Sequence, residues 1–326
     1  MDASYGCQLW MPAVDAMRLV DAYAGVPSAD TDRIRQLPSA RGATAVSELA
    51  GGITNRNYKV VTPSGIIVVR LSDAESSVLA IDRDNEHLNS ISAAKSGAGA
   101  PVIEYLPAVG ALAVGWIEGR TFGGADVREP ANLPRIAEAC RLLHAGPRFV
   151  SDFNMFDIQA RYLSLVQAKG YRLPERYLEF MPKFELVRQA MARHPEPTVP
   201  CNNDLLAGNF IDDGERLWLI DYEYSGNNEA SFELGNIWSE STLPDELLEV
   251  LVSSYWGGAP ASKVARARLW GLASKYGWTL WASIQAAISP IAFDYWGWGL
   301  EKYERAVAEF DSPGFDRLLA SLIHPD

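Results

Sequence analysis

The sequence predicts an α+β protein with two lobes, a small antiparallel β lobe at residues 45–118 and a larger, mainly helical lobe at residues 119–326. Three observations lead to this fold class. The 326 residues are too many for one small core, because a domain usually has roughly 100 to 200 residues. A β-branched hairpin pattern follows residue 45, and mostly helical patterns follow residue 119. Residues 1–44 are expected to form a leading helix and a connector.

The β lobe is expected to begin at a glycine turn and to continue as a hairpin, a helix and a second hairpin. Gly51 and Gly52 form the turn, and residues 62–65 connect the strands of the first hairpin. Gly97 ends the helix, since glycine is common just after helix C-termini. The predicted elements up to this point are the helix Ala13–Ala24, the strands Tyr58–Val61 and Ile66–Leu71, the helix Ala80–Lys95, and the strands Val102–Tyr105 and Leu112–Trp116.

The second lobe is predicted to be helical from Leu133 onward, with one exception. Between Cys201 and Tyr224 short apolar runs alternate with turns. Pro182 is expected to break the helix in which it lies, because proline lacks the backbone N–H. The predicted helices are Leu133–His144, Gln159–Lys169, Pro174–His194, Pro244–Tyr255, Lys263–Ile288 and Ala292–Phe310.

The composition, with 48% hydrophobic and 21% charged residues, is typical of a folded globular protein. The net charge of -12 argues against a nucleic-acid partner, because phosphate neutralisation needs clustered Lys and Arg. No segment reaches the roughly 18 consecutive apolar residues of a membrane span. The three cysteines are too widely spaced to indicate a disulfide framework or a zinc site. We therefore expect a cytoplasmic protein that binds neither nucleic acid nor membrane. The sequence leaves open whether the protein forms a homodimer, since no feature specifies an interface.

The strongest functional signal is the sequence CNNDLLAGN at residues 201–209, followed by WLIDYEY at residues 218–224. Phosphoryl transfer from ATP needs a carboxylate that accepts the proton of the attacking hydroxyl, and oxygen ligands that hold Mg²⁺ on the phosphates. We predict Asp204 as the base, with Asn209 and Asp221 as the metal ligands. A single Asp more often caps a helix or ends a strand. The prediction therefore depends on the combined spacing, D-x-x-x-x-N and then a short strand that ends in Asp.

The stretch from residue 203 through IDYEY to Glu240 resembles the signature of the choline/ethanolamine kinase family, in which an H-N-D-x-x-x-x-N loop precedes an I-D-[FY]-E-Y strand. The resemblance implies the two-lobed fold shared by protein kinases and aminoglycoside phosphotransferases. It also implies ATP and Mg²⁺ as cofactors and a small amino alcohol as the acceptor. Two positions depart from the signature, because Asn202 stands where the family has His and Glu233 stands where it has Asp. In kinases this His supports the loop. Asn202 in its place is therefore expected to affect the level of activity, although the catalytic Asp is retained.

A second stretch, GGITNRNY at residues 51–58, resembles the phosphate loop G-G-x-T-N-x-x-Y of the same family. The resemblance places Arg70 on the strand that carries the nucleotide-binding Lys of protein kinases, and Glu86 on the next helix as its ion-pair partner. A forked guanidinium can bind a phosphate and a carboxylate together. Without the loop around Asp204, a plain hairpin with solvated charges would be the simpler interpretation. The nucleotide-binding residues implied are Gly51, Gly52, Thr54, Asn55, Arg70 and Glu86.

Seven of the ten tryptophans lie between Trp238 and Trp298, and Trp278 and Trp281 share one helix face. Such a stripe usually belongs to the core, but aromatic faces also bind ammonium groups by cation–π attraction. The run from residue 278 to residue 295 resembles the family's segment W-x-L-W, Q-A-x-x-S and F-x-Y, which lines an acceptor pocket. The substrate-binding residues implied are Trp278, Trp281 and Phe293, with Trp298 in place of the family's Tyr and Glu240 as a negative charge for the ammonium head.

Two alternatives to an amino-alcohol kinase stay open. The acceptor could be another small hydroxylated molecule, such as an aminoglycoside or a sugar-like metabolite, whose pocket would have acidic side chains in place of the aromatic ones. The chain could also be a catalytically weak pseudo-kinase that only binds a ligand, a hypothesis motivated by Asn202. Retention of Asp204, Asn209 and Asp221 together favours an active enzyme.

Overall fold

The computed structural model describes residues 22–50, 52, 54–72 and 78–323. The helix predicted at Ala13–Ala24 begins outside these residues, and its last three residues belong to a turn. Gly51, predicted to bind phosphate, also lies outside the described residues. The connector contains a helix that the sequence analysis did not predict, α1 (Ser28–Ile34), which begins directly after Pro27. Ile34 packs into the core of the β lobe.

The β lobe is a five-stranded antiparallel sheet in the order β1-β2-β3-β5-β4. Its first hairpin is confirmed, with Tyr58 opposite Val69. Side chains of β2 and β3 alternate between buried and partly exposed, as expected for a sheet with one face on a core. The strands are β1 (Ala45–Leu49), which was not predicted, β2 (Arg56–Thr62), β3 (Gly65–Leu71), β4 (Val102–Leu106) and β5 (Ala111–Gly115).

Helix α2 (Arg83–Ser96) connects the two hairpins, close to its predicted bounds. It begins at Asp82, whose carboxylate accepts hydrogen bonds from the backbone N–H groups of Asp84 and Asn85, each at 3.0 Å. It ends at Gly97, whose φ of 86° lies in the left-handed region. The helix carries the buried Glu86 towards the strands.

The second lobe consists of helices around two small sheets, and most of the predicted helices are confirmed. Pro182 lies in the first turn of its helix, so the break comes before it, at the start of the helix. The helices are α3 (Gly124–Arg128), α4 (Leu133–His144), α5 (Met155–Lys169), α6 (Met181–Arg193), α7 (Ala230–Glu240), α8 (Asp245–Trp256), α9 (Ala261–Ile288), α10 (Tyr295–Phe310) and α11 (Phe315–Ile323). The strands are β6 (Arg120–Thr121), β7 (Thr198–Cys201), β8 (Phe210–Asp212), β9 (Leu217–Leu219) and β10 (Gly226–Glu229).

Three helices of this lobe, α3, α7 and α11, were not predicted. In α7, nine of the eleven residues are buried, so the helix has no polar face and no amphipathic period to recognise. Helix α3 has only five residues. Among the described residues, no helix combines the length and the apolar character of a membrane span.

Helix α9 is the centre of the helical lobe, and every residue from Leu269 to Gln285 is buried. Its backbone touches that of α7 at two glycines. A Cβ atom on Gly235 would lie 2.0 Å from the carbonyl oxygen of Ala267, and one on Gly271 would lie 2.6 Å from the carbonyl oxygen of Gly235. This close crossing fixes the end of α7 relative to the tryptophans of α9.

We expect Gly235→Ala to lower the free energy of unfolding by about 1–3 kcal/mol, because the added methyl group would meet backbone that cannot rotate away. Urea unfolding measures the change. Gly258→Ala is the matched control, since a Cβ atom there has no neighbour within 4 Å. Equal stability of the two variants would contradict the close crossing of α7 and α9.

Candidate active site

Two adjoining cavities lie between the lobes. The larger has a volume of about 560 Å³, within the range usual for ligand sites. The smaller has a volume of about 70 Å³ and is bordered by residues of both lobes. Both are bordered by the same five residues, which therefore mark the junction of the cavities: Gly52, Asn57, Leu206, Asn209 and Asp221.

The larger cavity has an apolar part between the sheet and the helical lobe. Val68, Leu112 and Val114 border it from the β lobe, and Leu206 and Leu219 border it from the other side. An apolar lining of this kind suits an aromatic base, while the polar side chains of Asn57, Asn209 and Asp221 lie at the junction.

Asp204 borders the smaller cavity, in the loop between β7 and β8. Among the described residues, none donates a hydrogen bond to its carboxylate, which leaves both oxygens available to an acceptor hydroxyl. Burial raises the pKa of Asp204 well above its ordinary value, and the charges of Glu240, Asp221 and Glu223 raise it further, while Lys302 opposes them. A carboxylate with a raised pKa is a stronger proton acceptor once ionised.

Asn202 connects the loop of Asp204 to the end of the strand before Asp221. Its side-chain oxygen accepts a hydrogen bond from the backbone N–H of Asp204 at 3.1 Å. Its amide nitrogen donates to the carbonyl oxygens of Ile220 and Asp221, at 3.1 and 2.8 Å. The residue that replaces the family's His thus holds both predicted functional carboxylates in place through the backbone.

Glu233 supports the same loop from α7. Its two carboxylate oxygens accept hydrogen bonds from the backbone N–H groups of Asn202 and Asn203, at 2.7 and 2.8 Å. The side chain is fully buried, and the His144 ring nitrogen Nε2 lies 3.8 Å from it. The second departure from the family signature is therefore a carboxylate that orders the backbone just before Asp204.

The predicted metal ligands Asn209 and Asp221 lie together at the junction of the cavities. The amide nitrogen of Asn209 donates to the carbonyl oxygen of Asp204 at 2.7 Å, so its side-chain oxygen is the atom left for a cation. Asp221 has a φ of 65° and a partly exposed carboxylate. Hard amide and carboxylate oxygens next to a polar cavity fit Mg²⁺.

Arg70 links the β lobe to this junction. Its guanidinium forms an ion pair with Glu86, as predicted, and donates a second hydrogen bond to Asp221 at 2.5 Å. Arg83 also pairs with Glu86, at 2.6 Å, in an i,i+3 arrangement that the sequence analysis did not use. The Arg70 side chain is 13% exposed, so these charges interact in a partly desolvated environment.

The phosphate loop is held against the helical lobe by Asn55. Its amide nitrogen donates to Glu223 at 2.7 Å, and its side-chain oxygen accepts from Arg83 at 2.8 Å. Burial raises the pKa of Glu223 to about 7, with Asp221 adding to the shift and Arg70 opposing it. Glu223 belongs to the IDYEY motif, but nothing in the sequence shows that it faces the phosphate loop.

Gly52 and Thr54 complete the described part of the phosphate loop, and both border the smaller cavity. A Cβ atom on Gly52 would lie 2.4 Å from the carbonyl oxygen of Asn55, so the loop can fold this tightly only with glycine.

Three of the predicted acceptor residues, Trp278, Trp281 and Trp298, meet at the smaller cavity together with Tyr224. The indole nitrogen of Trp281 donates to the Tyr224 hydroxyl at 2.7 Å, and the rings of Trp281 and Trp298 lie 5.5 Å apart. They form an aromatic wall of the cavity that Asp204 also borders.

The structure does not bring the other two predicted acceptor residues to this wall as expected. Phe293 is 42% exposed, packs on Tyr295 and borders the larger cavity. Glu240 forms an ion pair with Lys302, a residue that the sequence analysis did not single out. Lys302 is 62 positions from Glu240, so no local spacing could have indicated the pair.

Comparisons with known proteins agree with this geometry. The sequence model described as choline/ethanolamine kinase matches residues 46–247. A probable ethanolamine kinase of Arabidopsis thaliana is 27% identical over 301 residues, which cover 79% of this chain and 78% of that protein. The crystal structure of a choline/ethanolamine kinase family protein from Mesorhizobium loti superposes with a TM-score of 0.79 and 30% identity, over 91% of this chain and 99% of the other. Choline kinase LicA from Streptococcus pneumoniae superposes with a TM-score of 0.75 and 23% identity, over 90% of this chain and 100% of the other. This second superposition supports the fold.

The predicted two-lobed fold is confirmed.

We expect Asp204→Asn to lower kcat roughly 10²- to 10⁴-fold, because it removes the proton acceptor. The same change should raise the Tm at pH 7. The pKa of Asp204 is higher in the folded chain than its ordinary 3.8, so its ionisation costs stability as the pH rises above that value. Asparagine does not ionise and avoids this cost.

Turnover and thermal unfolding at pH 7 test this expectation. Asp32→Asn, at an exposed position in α1, is the control and should change neither quantity. Unchanged kcat in Asp204→Asn would refute the role as base, and a lower Tm would refute the cost of its buried charge.

Asn202→Ala should lower kcat more than it raises any KM, because the loop and Asp221 lose the side chain that joins them. It should also cost about 1–3 kcal/mol for a buried polar group left unpaired. Asn132→Ala is the control, since Asn132 donates a similar hydrogen bond to the carbonyl oxygen of Asp126 away from both cavities. If both variants lose stability but keep full kcat, Asn202 has only a structural role.

Proposed function

We propose that this chain, which belongs to the choline/ethanolamine kinase family, transfers the γ-phosphate of ATP to the hydroxyl of a small amino alcohol such as choline or ethanolamine. Its relatives are phosphotransferases with an alcohol group as the acceptor, and the chain is an enzyme of this class. The identity of the acceptor and the roles of individual residues are the proposed part.

The observation that carries the proposal is the junction of the two cavities. The larger cavity has room for a nucleotide, and the smaller one holds Asp204. Asn209 and Asp221 border both, so a phosphate that reaches the junction from one side would meet a hydroxyl that comes from the other. In-line transfer needs this arrangement, because the attacking and leaving oxygens must lie on opposite faces of the phosphorus.

In the proposed reaction, Asp204 accepts a hydrogen bond from the acceptor hydroxyl and takes its proton as the oxygen attacks the γ-phosphorus. The bond between that phosphorus and the bridging oxygen of ADP breaks, and ADP leaves with the electron pair. Arg70 on β3 borders the larger cavity and pairs with Glu86, and its guanidinium would bind the phosphates from there. Mg²⁺, when bound, neutralises charge on the phosphates, and Asn209 and Asp221 would hold it.

The aromatic wall favours an amino alcohol over the other acceptors. Trp278, Trp281 and Trp298 border the smaller cavity, where aromatic rings can attract an ammonium group, and the cavity of about 70 Å³ is small. An aminoglycoside is far larger and would need a wide acidic surface. We extend the proposal to the lobes, with nucleotide binding at residues 45–118 and acceptor binding and catalysis at residues 119–326.

ADP release with Mg-ATP should occur with choline, ethanolamine or their methylated relatives, and not with aminoglycosides or simple sugars. A coupled ADP assay across this panel measures it, and Asp204→Ala, which keeps the nucleotide cavity, is the control for contaminating activity. Silence across the whole panel, with ATP still bound, would favour a pseudo-kinase. Turnover with an aminoglycoside alone would move the chain to that alternative acceptor.

A further inference from the structure

Arg83, the first residue of α2, joins this helix to the phosphate loop and to the helical lobe. One terminal nitrogen of its guanidinium lies 2.6 Å from a carboxylate oxygen of Glu86 and 3.1 Å from one of Glu223. The other terminal nitrogen donates to the side-chain oxygen of Asn55 at 2.8 Å. Arg83 borders neither cavity, so any effect that it has on a ligand must pass through the side chains that it contacts.

We infer that Arg83 is a positioning residue for the nucleotide, which holds the phosphate loop at the junction of the cavities before a nucleotide binds. This role rests on the proposed function, because it takes the larger cavity as the nucleotide site. It adds to that function a side chain outside both cavities that sets the affinity for the nucleotide and not for the acceptor.

The side chain of Asn55 connects Arg83 to the backbone of the phosphate loop. Asn55 is 6% exposed, and its amide nitrogen donates to Glu223 at 2.7 Å while its oxygen accepts from Arg83. The carbonyl oxygen of Asn55 packs against Gly52, where a Cβ atom would lie 2.4 Å from it. Gly52 borders both cavities. Fixing Asn55 therefore fixes the glycine backbone at the junction, and backbone N–H groups of such turns bind anions.

The Asn55 amide is held at both of its ends, by groups from different parts of the chain. Glu223 belongs to the helical lobe, and Arg83 belongs to α2 of the β lobe. One hydrogen bond would leave the amide free to rotate, whereas two opposed ones fix its plane. A loop that is already fixed in its binding position loses less conformational entropy when the ligand arrives.

Charge balance is a simpler role for the same side chain. Glu86 and Glu223 are both buried, and Arg83 is a cation beside them. The two roles differ in what a lysine can do. Lysine supplies the charge through one nitrogen, whereas the guanidinium divides two nitrogens between the carboxylates and the Asn55 amide. Arg83→Lys therefore separates positioning of the loop from charge balance.

Calorimetric titration of the full chain with Mg-ADP measures the nucleotide Kd without an acceptor. We expect Arg83→Lys to raise this Kd about three- to ten-fold, the effect of one lost hydrogen bond. In turnover with an amino alcohol, the KM for ATP should rise by a similar factor, while the KM for the amino alcohol should change by less than about two-fold.

A double-mutant cycle tests whether the effect passes through Asn55. Asn55→Ala should raise the Kd for Mg-ADP by about the same factor as Arg83→Lys. In the double variant, Arg83→Lys should add little to the effect of Asn55→Ala, because the side chain through which Arg83 acts is already absent.

Arg268→Lys is the matched control. Arg268 also divides its guanidinium between two groups, Glu309 at 2.9 Å and Asp245 at 2.5 Å. Its side chain is 27% exposed, against 17% for Arg83, and it borders neither cavity. This variant should keep the wild-type Kd for Mg-ADP.

A wild-type Kd in Arg83→Lys would overturn the inference and leave charge balance as the role of Arg83. An equal rise in Arg268→Lys, or additive effects in the double-mutant cycle, would also overturn it. If Arg83→Lys does not fold, an unchanged Kd in Asn55→Ala overturns it. Failure of the wild type to bind Mg-ADP would overturn the proposed function and this inference together. Failure to turn over any amino alcohol, with Mg-ADP bound, would overturn the proposed acceptor alone.

Discussion

The balance of charge where the two lobes meet is the constraint on which the rest of the site depends. Carboxylates outnumber cations there, and most of these groups are buried. Ionised groups removed from water need partners, and like charges held close together repel. Binding a divalent ion and an ammonium group would relieve this repulsion. The site therefore favours cationic ligands, because its own positive side chains are fewer than its carboxylates. The carboxylates are Glu86, Asp204, Asp221, Glu223 and Glu240, and the cations are Arg70, Arg83 and Lys302.

Helix packing fixes the distances on which this balance depends. Glu233 near the start of α7 orders the backbone before Asp204, and Glu240 at its end reaches Lys302. The contact of Gly235 with α9 fixes the position of α7 relative to α9, which carries Trp278 and Trp281. A single backbone crossing therefore positions the base, the aromatic wall and the charged pair together. Interiors this tightly packed leave little room for one of these parts to move alone.

Much of the catalytic half of the site could be predicted from the sequence, because it depends on short spacings. Asp204, Asn209 and Asp221 lie in one loop and one strand end, and Arg70 and Glu86 lie on consecutive elements. The acceptor half could not be predicted in the same way. Whether Glu240 faces a substrate or an internal lysine depends on how α7, α9 and α10 pack. Helix α7 was missed for a related reason, since a helix buried on all sides loses the polar face that marks it in a sequence.

The side chain of Asn202 affects how the loop of Asp204 responds to pH. A histidine at that position would have an unperturbed pKa of about 6.5, so its hydrogen bonds to the loop and to the strand end could change near neutral pH. An asparagine amide has no proton to gain or lose in this range, and it donates and accepts at once. The hydrogen bonds by which Asn202 joins the loop of Asp204 to the strand end at Asp221 are therefore insensitive to acidification in this range.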